Sequence, residues 1–368
     1  VRPARRFVTA RARVRVGVLL GVVVALAAGC VPGSPTDAAD DGPGTIALLL
    51  PESKTSRYES IDRPEFEQVV GQRCPDCRVV YANAGQDAAR QQQQAESALT
   101  QGAGVLVLDA VDAVAARSIV TTAAERGVAV IAYDRFISGA PLDYFVAYDG
   151  ERVGHLQGEA LVAAVGSDLA PDQGVLLVNG ASTDPNAADI KAGVTAVLAA
   201  AGVPVLAEYD TPDWSPDKAR EWVEGQLTQF GRRVIGVGAA NDGTAAGAIS
   251  AMRAAGLDPV PPVTGQDAEL AAVQRIVAGD QYMTVYKAIS QQARMAAELA
   301  VRLLRGELPV GTARVEGVPA VLLTPVAVTR ENVLSVIVHG GVLTAEQICT
   351  PAYRQACLDI GLLEEGDT

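Results

Sequence analysis

From residue 45 onward the chain repeats one pattern: a short apolar run, then an alanine-rich amphipathic stretch. The runs include TIALLL (45–50), RVVYAN (78–83), GVLVLD (104–109), VAVIAYD (128–134) and YFVAYD (144–149). GVLLVNG (174–180), VPVLAEYD (203–210), RVIGVGAAND (233–242), PVTGQDA (262–268) and YMTVYK (282–287) follow. The spacing predicts helices between them at 87–102, 112–126, 151–165, 187–201, 216–230, 243–255 and 289–306. Strands that are apolar on both faces need cover on both sides, and parallel strands receive it from crossover helices. Ten such runs exceed one ordinary open sheet. The expected fold class is therefore α/β with two doubly wound lobes, and a closed β/α barrel is the alternative architecture.

Polar residues are concentrated where the apolar runs stop. The runs end in Asp109, Asp134 with Arg135, Asp149, Asn179, Asn241 with Asp242, Asp267 and Lys287. Open α/β sheets bind ligands beyond the carboxyl ends of their strands. Asp and Asn also favour helix N-caps, which suffices to explain Asp149 and Asp242. It does not explain Arg135 or Lys287, because a cation is disfavoured at the positive end of a helix.

The first 29 residues read as a targeting segment. Six arginines precede an apolar stretch at 16–28, which is short for a membrane span and ends in LAAGC. Small residues before Cys30 predict a secretory signal peptide (1–29) cleaved ahead of a lipid-modified Cys30. Residues 30–44, rich in Pro, Gly, Ser and Asp, then form a flexible tether. Loss of the six arginines takes the net charge from −13 to −19. So acidic a body argues against nucleic acid and anionic lipid as partners, and leaves the lipid anchor as the expected membrane contact. The expected location is extracytoplasmic, at the membrane. There disulfides persist, and the two close pairs Cys74/Cys77 and Cys349/Cys357 are expected to form them.

Signs of catalysis are scarce. The chain contains no P-loop, no G-x-S-x-G elbow and no H-E-x-x-H, and no G-x-G-x-x-G lies at a strand-to-helix turn. CPDC (74–77) lacks a second C-x-x-C, and His155 and His339 are the only histidines, so no metal centre is expected. No cofactor and no enzymatic activity are expected either. Carboxylates, amides and cations at strand ends instead suit a neutral polyhydroxylated ligand, whose hydroxyls both donate and accept. The C–H face of a sugar ring needs a flat apolar partner. Aromatic residues are only 4% of the chain, yet Tyr58 and Trp214 fall in loops after expected strands.

VAVIAYDRFI (128–137), VAYDGERVGHLQGEAL (146–161), GAANDGTAAGAI (238–249), TGQDAEL (264–270) and MTVYKAI (283–289) appear in order along the chain. Together they closely resemble the D-xylose-binding proteins of bacterial ABC sugar importers, over about residues 45–338. The resemblance implies the type I periplasmic binding protein fold, in which two Rossmann-like lobes joined by three crossing segments close on a sugar. It places the crossings near 148–150, 286–290 and 318–324. The first lobe is then 45–148 plus 289–320, the second 149–288 plus 321–345, and 346–368 a C-terminal extension.

The resemblance also implies a ligand set. Arg57 and Tyr58 come from SRYES, with Tyr58 where the family commonly has tryptophan. Asp134 and Arg135 come from AYDR. Asp184 and Asn186 come from STDPNAA, where Pro185 departs from the family. Trp214, Asn241, Asp267 and Lys287 complete it, and Asn241, Asp267 and Lys287 are the expected cross-cleft partners of Asp134 and Arg135. The function so implied is a monomeric, lipid-anchored receptor delivering a monosaccharide, D-xylose foremost, to an ABC importer permease. The alternatives are a receptor for glucose, arabinose or ribose, a sensor serving a chemoreceptor or histidine kinase, and a secreted enzyme on the same fold.

Overall fold

The computed structural model describes residues 44–364. The signal segment, Cys30 and the tether lie outside the described residues, apart from Gly44 at the tether's end.

The first sheet uses β1 (Thr45–Leu50), β2 (Arg78–Asn83), β3 (Ala103–Leu108), β4 (Ala129–Tyr133) and β5 (Tyr144–Tyr148). Alternating with them are α1 (Arg63–Arg73), α2 (Ala88–Thr100) and α3 (Arg117–Glu125). The second sheet begins with β6 (Gly174–Asn179), β7 (Val205–Asp210) and β8 (Val234–Ala239), served by α4 (Gly150–Val165), α5 (Pro185–Ala201), α6 (Pro216–Phe230) and α7 (Asp242–Ala254). Then come α8 (Leu270–Ala278), β9 (Met283–Tyr286), α9 (Ile289–Leu304), β10 (Ala313–Val315), β11 (Val318–Leu323) and β12 (Val326–Thr329). Two short helices, α10 (Ala345–Ile348) and α11 (Arg354–Asp359), close the chain.

The first sheet has the order β10-β11-β5-β4-β3-β1-β2 and is parallel except for β10. In the second, β7-β6-β8 is parallel and β9 pairs with β12 antiparallel. Residues 262–268, expected as a strand, are irregular: they make only the bridges Val237–Val263 and Gln266–Val285, which join β8 to β9. Two open sheets form, not the closed barrel. Both have order 2-1-3 around their first strand, which puts a switch point at the carboxyl ends of β1 and β6.

Every residue of β1 is buried, for the reason its sequence announced. Ile46, Leu48 and Leu50 pack against α1 and α9, while Ala47 and Leu49 pack against α2 and α3. β6 divides likewise: Leu176 and Val178 face α6 and α7, whereas Val175 and Leu177 face α4 and α5. α4 and α5 approach very closely. A Cβ at Gly154 would lie 2.1 Å from the Ile190 carbonyl, and one at Gly193 2.2 Å from the Glu151 carbonyl.

Helices α1 and α8 were not among the expected ones. The apolar stripe of α1 amounts to Phe66, Val69 and Val70, too few to announce it. α3 starts later than expected, because the Asp112 carboxylate accepts from the Val114 and Ala115 amides (2.8 and 2.9 Å) and holds that segment in turns.

The chain passes from the first sheet to the second after β5, returns after β9, and leaves again after β11. The sequence boundary at 320/321 needs correction. Val321–Leu323 pair with Val146–Tyr148 of β5, so the third crossing falls at Thr324–Pro325. The segment after 345 is likewise no appendage: Ile348, Cys357 and Leu362 are buried in one cluster with Val273 and Val277 of α8. Cys349–Cys357 ties this segment together, and Cys74–Cys77 closes the end of α1. Among the described residues no helix is long and apolar enough to cross a membrane.

Candidate ligand site between the lobes

The ten residues singled out in the sequence line one small cavity. The first lobe contributes four. Arg57 and Tyr58 precede α1 in a π-helical turn, Tyr58–Asp62, and Asp134 and Arg135 follow β4. The second lobe contributes Asp184 at the N-cap of α5, Asn186 in its first turn, Trp214 after β7, Asn241 at the N-cap of α7, and Asp267. Lys287 sits at the second crossing. Thr55 and Gln266 also line the cavity and were not anticipated.

Three of these side chains are aimed by unusual backbone. Asp134 (φ 63°), Trp214 (φ 52°) and Asp267 (φ 93°) occupy the left-handed region, although none is glycine. Such conformations cost on the order of 1 kcal/mol or more each and persist where their surroundings enforce them. Trp214 shows how. Its ring lies against the Gly180 backbone, where an added Cβ would come within 2.1 Å of it, and its Nε1–H donates to Asp184 Oδ2 at 3.1 Å.

The charged groups form two linked sets. Arg57 makes a forked pair with Asp62 (2.8 Å twice) and reaches Asp134 Oδ1 at 3.2 Å and Gln292 Oε1 at 2.9 Å. Tyr133 Oη donates to Asp62 as well. Gln292 Nε2 donates to Asp134 Oδ1 (3.0 Å) and the Val146 carbonyl (3.2 Å). Burial pushes the Asp134 carboxyl up, but Arg57, Lys287, the Gln292 bond and Arg135 outweigh it, and it lies well below the carboxylate range. In the second set, Arg135 donates to the Ala110 carbonyl (2.8 Å) and Tyr58 Oη (3.3 Å), and its Nε lies 2.8 Å from Asp184 and 3.2 Å from Asp109. Lys287 pairs separately with Asp267 at 3.1 Å.

The expected cross-cleft partners differ from the observed ones. Asn241 and Asp267 make no bond to Asp134 or Arg135 in this arrangement. Direct contact comes from Asp184 with Arg135, and from Asn186 Nδ2 donating to the Asp134 carbonyl at 3.1 Å. The reason is local: the Asn241 side chain caps α7 through Thr244, and Lys287 occupies Asp267. Backbone amides also donate across the cleft, Ala113 N–H to the Thr183 carbonyl (3.2 Å) and Ser56 N–H to the Glu269 carboxylate (3.3 Å). The lobes are closed. Asp242, expected as a cap, instead lies buried and accepts from Gln281, Thr284 and the Glu269 amide, which anchors the Asp267 loop. Asp149 does cap α4, through the Arg152 amide at 2.9 Å. His155 is on the exposed side of α4.

The cavity measures about 20 Å³ as room for the centre of a water-sized sphere. A groove of about 1040 Å³ runs outside it between α1, α9 and residues 340–347, but shares only Arg57, Asp267 and Lys287 with the cavity. The buried polar side chains converge on the small cavity, which mixes donors, acceptors and the indole ring of Trp214. Among the described residues no group of His, Cys, Asp and Glu is arranged to hold a metal ion.

A sequence model described as a periplasmic binding protein domain matches residues 46–308. The chain belongs to that family, has its type I fold, and is a solute-binding protein rather than an enzyme. It is 35% identical over 304 residues to the D-xylose-binding periplasmic protein of Escherichia coli (strain K12), covering 80% of this chain and 90% of that one. It is 29% identical over 339 residues to the multiple sugar-binding periplasmic receptor ChvE of Rhizobium radiobacter, covering 86% and 94%. A carbohydrate transporter solute binding protein from Chloroflexus aurantiacus, solved in complex with D-glucose, superposes with a TM-score of 0.73 at 27% identity, over 82% of this chain and 97% of that one.

Proposed function

We propose that this chain is an extracytoplasmic receptor that captures one monosaccharide between its lobes and presents the closed form to the permease of an ABC importer. The single observation that carries this reading is the cavity between the lobes, to which both lobes contribute buried charges of both signs. Arg57, Arg135, Lys287 and Asn241 supply donors, while Asp134, Asp184 and Asp267 supply acceptors. Gln266 Oε1, buried and without a protein donor, is a further acceptor. Trp214 offers the flat apolar surface, and Tyr58 lends its hydroxyl more than its ring.

D-xylose is the proposed ligand. The relative named for D-xylose supports it over a hexose. The relative named for multiple sugars and the neighbour holding D-glucose support a broader range, with glucose, arabinose and ribose as the competing ligands. The receptor works as a monomer, tethered through a lipidated Cys30. Each lobe moves as a unit about the three crossings, and sugar shifts the open–closed equilibrium because both lobes hold it only when closed.

A thermal-shift panel tests this. Sugar at about a hundredfold above its Kd is expected to add roughly 2.7 kcal/mol of stability. Xylose, glucose, arabinose, ribose and galactose all failing to shift the transition would remove the reading. Gly180→Ala is expected to push the Trp214 ring off its backbone seat and weaken sugar affinity at least about tenfold, a change of about 1.4 kcal/mol. Unchanged affinity by titration calorimetry would show that the indole does not hold the sugar.

A further inference from the structure

Asp109 is fully buried at the end of β3, yet neither of its carboxylate oxygens accepts a hydrogen bond from the protein. Its one close cation is Arg135 on the adjacent strand end, at 3.2 Å. That guanidinium is already committed. Its Nη1 donates to the Ala110 carbonyl and its Nη2 to Tyr58, while its Nε lies closer to Asp184 and is aligned for a hydrogen bond with neither carboxylate. Two carboxylates thus compete for one N–H. They differ in where they come from. Asp109 and Arg135 end neighbouring strands of one sheet, so their spacing survives any lobe motion. Asp184 caps α5 of the other lobe, so its contact with Arg135 depends on how the lobes sit against each other.

We propose that Asp109 is the resting partner of Arg135: it holds the guanidinium while the lobes are apart, yields it to Asp184 as they close, and takes up one proton from solvent in exchange. This rests on the reading of the protein as a receptor that closes on sugar. A buried carboxylate without a donor is more stable protonated than charged. The groups acting on Asp109 agree with that outcome. Burial pushes its carboxyl well up, Arg135 from β4 and Arg57 from the turn before α1 oppose this, and Asp134 and Asp184 reinforce it. Tyr58 faces it with a phenol that burial and Asp109 itself keep neutral, and the neutral Gln91 of α2 bonds only its carbonyl. Asp109 is a positioning residue, since it reaches the cavity through Arg135.

The sign follows from linkage. The closed form binds the proton more tightly, so affinity is highest below the open-state pKa of Asp109 and falls as pH rises through the closed-state value. One linked proton limits the change to about tenfold per pH unit. The test is calorimetric titration of the full chain with D-xylose, or D-glucose where xylose does not bind, in two buffers of different ionisation enthalpy across pH 5–8. The wild type is expected to take up as much as one proton per sugar bound. Asp109→Asn is expected to bind with no proton uptake, a flat pH profile, and the affinity that wild type reaches at its acid limit. Asp109→Ser, also uncharged, serves if the amide variant does not fold. Sugar binding without proton uptake by wild type overturns the proposal alone, as does uptake that persists in the uncharged variants. Binding of neither sugar overturns the receptor reading and the proposal with it.

Discussion

Arg135→Ala is expected to abolish detectable sugar binding while the protein remains folded. The side chain is 2% exposed and is the meeting point of Asp109, Asp184, Tyr58 and the Ala110 carbonyl. Its removal leaves Asp184 buried without its cation when the lobes meet, and takes away one of the contacts that tie the first lobe to the second inside the cavity. Breaking a buried pair costs about 3–5 kcal/mol. Because Arg135 and Asp184 come from different lobes, much of that cost is expected to fall on the closed form. At about 1.4 kcal/mol per decade, affinity is expected to fall roughly a hundredfold or more. Circular dichroism checks the fold and titration calorimetry the binding. Arg135→Lys keeps the charge but loses the planar fork, and is expected to fall between the two. Native affinity in the alanine variant would mean that the end of β4 does not face the ligand.

Asp62→Ala is expected to cost stability before it costs recognition. Asp62 is 1% exposed, receives both arms of the Arg57 fork and accepts from Tyr133. Without it Arg57 retains Asp134 and Gln292, so the loss sits near the lower end for a buried pair, about 3 kcal/mol. For a body of this size that lowers the melting temperature by about 4–5 °C. Asp62→Asn keeps an acceptor for the guanidinium and is expected to lose about half as much. A melting temperature within a degree or two of wild type in the alanine variant would show that Arg57 is held without Asp62.

Asp62 also marks where sequence reasoning stops. The strand ends were legible because an all-apolar run that closes on Asp–Arg or Lys has few structural explanations, and Asp134, Arg135, Asp267 and Lys287 do meet at one cavity. Asp62 lies in a π-helical turn with no apolar period around it, and its partner Arg57 reaches Gln292 across 235 residues of sequence. That contact exists because α9 returns to the first lobe after the second crossing, which no local pattern announces. Asp109 was legible as a strand-end polar residue but not as a neighbour of Asp184, which comes from the other lobe. The left-handed backbone at Asp134, Trp214 and Asp267 was hidden too, because glycine, the usual sign of it, is absent from all three positions. The third crossing was placed early because Val318–Leu323 carries only six residues and its pairing with β5 spans the whole second lobe.

Sugar capture at the end of β4 is tested most directly by calorimetric titration of D-xylose into the wild-type chain and Arg135→Ala side by side. One saturable sugar per wild-type chain, with no measurable binding to the folded variant, is the expected result. Equal binding to both, or binding of D-xylose and the other monosaccharides to neither, would contradict it.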